Sequence, residues 1–254
     1  MNTFTNIQPA SGFADRLRQR LHWLKPPYRS AKRWLNDLYS LRNIQRGGPI
    51  TRINVGCGKD VRPGWWNIDM VRFPGVQEIR DVTRPWRHRD LHYVFAEHFL
   101  EHLSLHQGLC FLMHAGNALS EGGVIRISTP NLTHALTTCY DFKSPETDVA
   151  AAQRLEHTVM TNANFHGYGH QFLYSEEFLC FVLREMGFED VELFNFGESR
   201  NAELRNMERH GSLEIHNNIR AVATAEAKKG ASPIQPSRKL LALLDRHYDG
   251  DVFR

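Results

Sequence analysis

The chain predicts an α/β fold, and two neighbouring observations predict it. Arg52-Ile53-Asn54-Val55 alternates polar and apolar residues, as a half-buried strand does, before Gly56-Cys57-Gly58 breaks the pattern. Glycines in such a turn let the backbone reverse and approach a ligand with no Cβ in the way. Trp65-Trp66-Asn67-Ile68-Asp69 then reads as the next strand, closed by an acid. A carboxylate at that end can accept both hydroxyls of a ribose. Too few residues separate Gly58 from Trp65 for a first helix of ordinary length.

Taken in order, residues 1–10 are polar, and 14–24 and 30–41 read as short helices split by Lys25-Pro26-Pro27. Leu17, Leu21 and Leu24 share one face of the first, and Trp34, Leu38 and Leu41 one face of the second. Basic amphipathic helices of this kind can lie on an anionic membrane surface or bind a phosphate-rich partner. Equally, they can pack on the domain as a lid with their arginines facing water. Gly47-Gly48-Pro49 marks a hinge, so residues 1–48 are set apart as a basic helical arm and 49–227 as the main domain.

Within that domain, 76–81 reads as a third strand closed by Asp81, which either contacts a ligand or caps the turn before Pro85. Residues 91–96 read as a fourth strand, and Glu97–Leu103 as the start of a helix. His98, His102 and His106 fall four apart, which on one helix would make a metal-binding face. Ser104 and Gln107 form a capping box, however, that starts a new helix at Leu105 and takes His106 out of the row. The spacing is also not His-Glu-x-x-His, so no metal site is expected. Leu105, Leu109, Leu112, Gly116 and Leu119 line that helix's buried face, and Gly122-Gly123 ends it.

Val124–Thr129 is a central strand stopped by Pro130, and 131–174 a substrate-side insertion, helical to 161. Its last part, Asn164–Tyr174, is an aromatic, glycine-broken loop holding His166 and His170. Ser175 caps the next helix, Glu176 and Glu177 favour its positive end, and Gly187 terminates it. Residues 191–196 and 219–226 form a final antiparallel strand pair around a charged loop, 197–210. Residues 228–236 look like a linker and 239–247 like a terminal helix.

Four stretches in this order, Thr51–Met70, Asp81-Val82-Thr83-Arg84-Pro85, Glu97–Leu103 and Glu121–Ile127, resemble the motifs of class I S-adenosylmethionine-dependent methyltransferases. The resemblance runs over roughly 50–227 and looks closest to the small-molecule branch often found beside glycan-biosynthesis enzymes. It implies a Rossmann-like sheet of seven strands, mostly parallel, with a reversed last strand and helices on both faces. It implies S-adenosylmethionine as cofactor, with Asn54, Gly56, Cys57, Gly58, Asp69, Met70, Asp81, Val82 and His98 around it. Asp81-Val82 would meet adenine, and His98 the methionine end through its backbone. Asn54 departs from the acid common in the family, and Asp60 sits near the usual third glycine. A nicotinamide fold would need the missing first helix to receive pyrophosphate. S-adenosylmethionine carries no phosphate.

Methyl transfer from a sulfonium is an in-line displacement, so the protein mainly positions the nucleophile. A hydroxyl acceptor must also lose a proton, which suits a histidine. His166 and His170 are the candidates, with Glu101 orienting an imidazole or holding the acceptor hydroxyl. The acceptor expected is a small polar molecule, first a sugar or glycan-precursor hydroxyl. His102 is expected to pack inside, and Cys57 to pack beneath the cofactor rather than to act as nucleophile. A non-catalytic methyltransferase-like scaffold is the alternative, and a nicotinamide oxidoreductase a third reading.

Bulk properties agree. A chain of 254 residues with 41% hydrophobic content supports one α/β domain with appendages. Its four cysteines lie far apart without a Cys-x-x-Cys pair, as in reduced cytosolic proteins. No apolar run approaches the roughly 20 residues of a membrane span, and no signal peptide is seen. The expectation is a cytoplasmic protein, with peripheral contact at the inner face of the membrane through residues 14–46 if the arm is membrane-bound. Residues 1–50 carry a net +7 of the chain's +3, which leaves the body at −4 and argues against a nucleic-acid partner.

Overall fold

A computed structural model describes residues 35–36, 38–40, 42–43, 48–139, 158–159, 161–209 and 222–247. The expected helix at 14–24, most of the 30–41 helix, the insertion over 140–157 and the strand start at 219–221 lie outside them.

Seven strands form one sheet in the order β3-β2-β1-β4-β5-β7-β6. They are β1 (Arg52–Val55), β2 (Trp66–Asp69), β3 (Glu78–Ile79), β4 (Leu91–Glu97), β5 (Leu119–Pro130), β6 (Phe188–Phe194) and β7 (Val222–Lys229). Every pair among β1 to β5 is parallel, and β7 runs antiparallel to both β5 and β6. This is the Rossmann-like sheet with a reversed last strand.

Register makes the two faces chemically different. One face carries Ile68, Val55, Ala96, Ile127 and Ala225 side by side. Leucines from α1 (Leu105–Ala118), α3 (Glu176–Glu185) and α4 (Arg238–His247) join them in a single apolar core. Each fully buried leucine there is worth about 1.5–3 kcal/mol over an exposed one. The other face carries Asn67, Asn54, Phe95, Arg126 and Glu226. An apolar helix stripe would have little to pack on there. Instead Leu204 and Met207, from the loop after β6, cover Trp65, Phe95 and Val124. Fully buried Arg126 donates to Glu208 (2.6 Å) and Glu226 (2.5 Å), and Glu208 accepts from Gly197 N (3.2 Å), which ties that loop to the sheet. At the β3 end of this face, Tyr39 and Asn43 donate to the Val76 and Gln77 carbonyls, and Ser40 accepts from Ile79 N. These helical residues of the arm therefore pack on the domain.

Local signals explain most element boundaries. The capping box at α1 forms, with Gln107 N donating to Ser104 Oγ (3.3 Å) and Ser104 N to Gln107 Oε1 (3.1 Å). All five residues expected on its buried face are buried. Ser175 accepts from Phe178 N at the start of α3. No helix lies between β1 and β2.

Five readings need correction. First, α1 ends at Ala118, before Gly122, because Leu119 turns extended to pair with Leu91 and start β5. Second, Glu97–Leu103 contains only a 3-10 turn, Leu100–His102, since Glu97 still belongs to β4 and the next capping box follows at once. Third, β3 shrinks to Glu78–Ile79. Fourth, a π-helical turn, Ala163–Gly167, begins the segment read as an aromatic loop, whereas the helix read over the insertion is present where it is described, as α2 (Leu132–Cys139) and at 158–159 and 161–162. Fifth, the segment read as a linker is integral. Ile234 is 1% exposed within the core, and Asn117 exchanges two hydrogen bonds with its backbone (2.8 and 2.9 Å). No helix among the described residues is long and apolar enough to cross a membrane.

Candidate active site

The strand order reverses direction between β1 and β4, and open α/β sheets bind ligands outside the strand ends at such a point. Four groups of residues gather there. The first is the glycine turn. Gly56 N and Cys57 N both donate to Ile68 O, and Gly56 and Gly58 have φ of 63° and 54°. A Cβ on Gly56 would stand 2.3 Å from the Phe99 ring, whereas one on Gly58 would meet nothing within 4 Å. Gly58 thus faces open space at the tip of the turn.

Asp69 closes the other side. Its Oδ2 accepts from Gly58 N (2.8 Å) and its Oδ1 from Val71 N (2.7 Å), so the carboxylate is fixed beside the glycine tip. Each oxygen keeps a second lone pair for a ligand hydroxyl. Met70 and Val71 follow with 67% and 54% of their surface exposed, an apolar shelf beside the carboxylate. Asn54 stands apart from this opening. It is 3% exposed, and its amide donates to Asn67 Oδ1 (2.9 Å) and Asp60 O (3.1 Å), a buried knot beneath the turn. Cys57 is also buried. Burial, then the Asp69 carboxylate, pushes its thiol up to about 12, which leaves it protonated and unsuited to nucleophilic attack.

At the end of β3, Asp81 accepts from Thr83 N (3.1 Å), Thr83 Oγ1 (2.6 Å) and Arg84 Nε (3.2 Å). Partial burial raises its pKa, but the Thr83 and Arg84 contacts outweigh that and hold it below the usual aspartate value. The turn-capping role weighed from the sequence is therefore present. The Val82 side chain is buried in the core.

The fourth group surrounds Glu101. Its fully buried carboxylate accepts from Thr129 Oγ1 (2.9 Å) and lies 3.2 Å from His98 Nδ1. His98 occupies a left-handed conformation (φ 46°), a strained state for a non-glycine residue, and its N–H is committed to Ser128 O. The backbone contact expected of His98 therefore cannot use that N–H. The aromatic loop docks onto the same turn through Gln171 N and Phe172 N to Glu101 O and Gln171 Nε2 to His102 O (2.6 Å). His170 is thereby brought 5.1 Å, ring to ring, from His102. His102 is half-buried rather than packed inside, while His166 is exposed on the π-helical turn, outside this group.

Thr129, Phe99 and Gln171 escaped sequence reasoning. Thr129 had a usable signal, a polar residue at the carboxyl end of a central strand, as at Asp69. A charged rim was also missed. Glu97 accepts from Arg209 N (2.9 Å) and Nε (3.1 Å), and Arg62 pairs with Asp60 (2.9 Å).

No family model matches the chain, and no curated protein matches it significantly. Solved structures do resemble it. A SAM-dependent methyltransferase from Archaeoglobus fulgidus is 18% identical, over 76% of this chain and 94% of that one, with a TM-score of 0.44. Another from Thermotoga maritima, described as a possible histamine N-methyltransferase, is 14% identical over 82% and 99%, with a TM-score of 0.43. Phosphoethanolamine N-methyltransferase 2 of Haemonchus contortus, in complex with S-adenosylmethionine, is 12% identical over 75% and 52%, with a TM-score of 0.41. Likenesses this distant carry no argument about activity. The fold assignment stands on the strand order itself.

Proposed function

We propose that the protein is an S-adenosylmethionine-dependent methyltransferase acting on a small polar acceptor, foremost a hydroxyl of a sugar or glycan precursor. What carries this reading is the Asp69–Gly58 hydrogen bond at the switch point, which sets a carboxylate beside an open glycine tip. Asp69 would hold the ribose hydroxyls, Met70 would lie against adenine, and Asp81 and the Val82 backbone would meet its edge. Gly56 and Gly58 would admit the methionine end, with Asn54 and Cys57 supporting the turn from below. Among the described residues no helix follows the glycine turn between β1 and β2, so the phosphate-binding helix start that a nicotinamide cofactor needs is not found there.

The acceptor end would be the Glu101 group. An acceptor oxygen attacks the methyl carbon as the carbon–sulfur bond breaks, both electrons of that bond staying on sulfur to leave a neutral thioether. The acceptor's proton passes to an imidazole, His170 beside Glu101 and His102, or His166 if the π-helical turn reaches the acceptor. The polar lining of this end favours a hydroxyl acceptor over an apolar carbon.

The test is calorimetric titration of S-adenosylmethionine into wild type and Asp69→Ala, with thermal unfolding of both as a folding control. Loss of charge-assisted hydrogen bonds worth about 1.5–3 kcal/mol each should weaken binding more than tenfold. Absence of binding to folded wild type would instead leave a methyltransferase-like scaffold.

A further inference from the structure

We propose that Glu101, His102 and His170 form a binding site for a divalent first-row transition ion. One ligand atom from each lies within 4.8 Å of the other two. The set is two imidazoles and a carboxylate, the donor pattern of catalytic zinc and of facial two-histidine iron sites, which leave positions open for substrate or water. It is not the His98, His102, His106 row that the sequence spacing suggested. The capping box separates His106 from that row, and His170 arrives from a segment distant in sequence.

Three features make this a built site. Glu101 is fully buried, and its one basic neighbour in an ion-pair contact among the described residues is the His98 imidazole at 3.2 Å, with no lysine or arginine beside it. A buried carboxylate is costly without a positive partner, and a dication supplies one. Second, Thr129 Oγ1 and His98 Nδ1 hold the carboxylate in place, as outer-shell groups orient metal ligands. Third, the loop carrying His170 is clipped to the Glu101–His102 backbone by three hydrogen bonds, which fixes the third ligand against the other two. His102 and His170 are half-buried, so solvent reaches the group.

The ion's role in the reaction rests on the methyltransferase reading; its binding does not. An acceptor hydroxyl bound to the ion through oxygen would release its proton to solvent more readily. Its lone pair would then attack the methyl carbon as above. His170 in that case holds the ion instead of taking the proton.

The experiment loads chelator-treated protein with Co2+ alone, without S-adenosylmethionine, and follows visible d–d absorption. Zn2+ competition then gives the affinity. Wild type should take up one ion per chain. His102→Ala and His170→Ala, at half-buried positions, should lose more than the roughly 10–100-fold expected for the outer-shell change Thr129→Val. His92→Ala, at an exposed histidine, should bind as wild type does. No d–d absorption, or equal affinity in the His102 and His170 variants, overturns the proposal. S-adenosylmethionine titrated separately keeps the two readings apart, since cofactor binding without metal binding sinks only the ion site, and the reverse sinks only the methyltransferase.

Discussion

Adding one methyl group at either glycine of the turn should separate folding from binding. At Gly56 the new Cβ would sit 2.3 Å from Phe99 Cδ2 and 2.8 Å from its Cγ, at a φ of +63°. The left-handed conformation costs about 1–2 kcal/mol in a non-glycine residue. Forcing a methyl into the packed Phe99 ring adds about 1–3 kcal/mol. Gly56→Ala should therefore lose about 2–5 kcal/mol, which for a chain of this size lowers Tm by roughly 4–20 °C. At Gly58 the φ of +54° carries the same conformational cost, but no atom lies within 4 Å of the new Cβ. Gly58→Ala should lose only about 1–2 kcal/mol and still weaken S-adenosylmethionine binding about tenfold or more, because the methyl enters the cleft. Thermal unfolding and titration calorimetry on both variants, with Phe99→Ala added to Gly56→Ala, read the contrast. Equal stability of the two variants, or unimpaired cofactor binding by Gly58→Ala, would refute the packing argument.

Two further outcomes are expected. Glu78 is buried, which raises its pKa, yet His88 at 2.7 Å, Trp66 Nε1 and Arg80 outweigh burial and hold it below its ordinary 4.5. A depressed folded value gives stability that is present above pH 4.5 and lost as pH falls through the folded pKa. The Tm of Glu78→Gln should accordingly fall less than that of wild type on acidification below pH 4.5, and parallel curves would disprove this. Ile234→Ala should cost about 2–5 kcal/mol, as a core truncation does, measured by thermal melting. A linker position would change stability by less than about 0.5 kcal/mol.

The fold was legible where local chemistry and burial agree. The β1 alternation, the glycine turn, the Ser104–Gln107 box and the Ser175 cap all act within a few residues, and each appears where expected. Boundaries slipped where a distant partner decided them. Leu119 leaves its helix because Leu91 lies opposite, and residues 230–237 look polar and proline-rich although Ile234 sits in the core and Gln235 N and Ser237 N donate to the Met186 and Glu185 carbonyls. The site divides the same way. Asp69 beside Gly58 follows from two adjacent strands. The meeting of His170 with Glu101 and His102 depends on backbone hydrogen bonds across some 69 residues, which no spacing rule reports. Asn54 was read as a cofactor contact because it stands where the family commonly has an acid; its place on the polar sheet face, which the motif does not report, gives its amide N–H groups to Asn67 and the Asp60 carbonyl.

The loop that stands in for a first helix also has a consequence for assembly. A helix between β1 and β2 would be a local piece, able to form as soon as that stretch of chain exists. Here the same sheet face is sealed by Leu204, Met207 and Arg209, whose contacts with Trp65, Phe95 and Glu97 join positions more than a hundred residues apart. Long-range contacts of this kind slow folding, because the loop-closure entropy comes due before any of them forms. During synthesis the nucleoside-binding turn would emerge early and stay uncovered until the segment after β6 arrives. Ligand binding should then be among the last properties the nascent chain acquires, although its motif is among the first to be made.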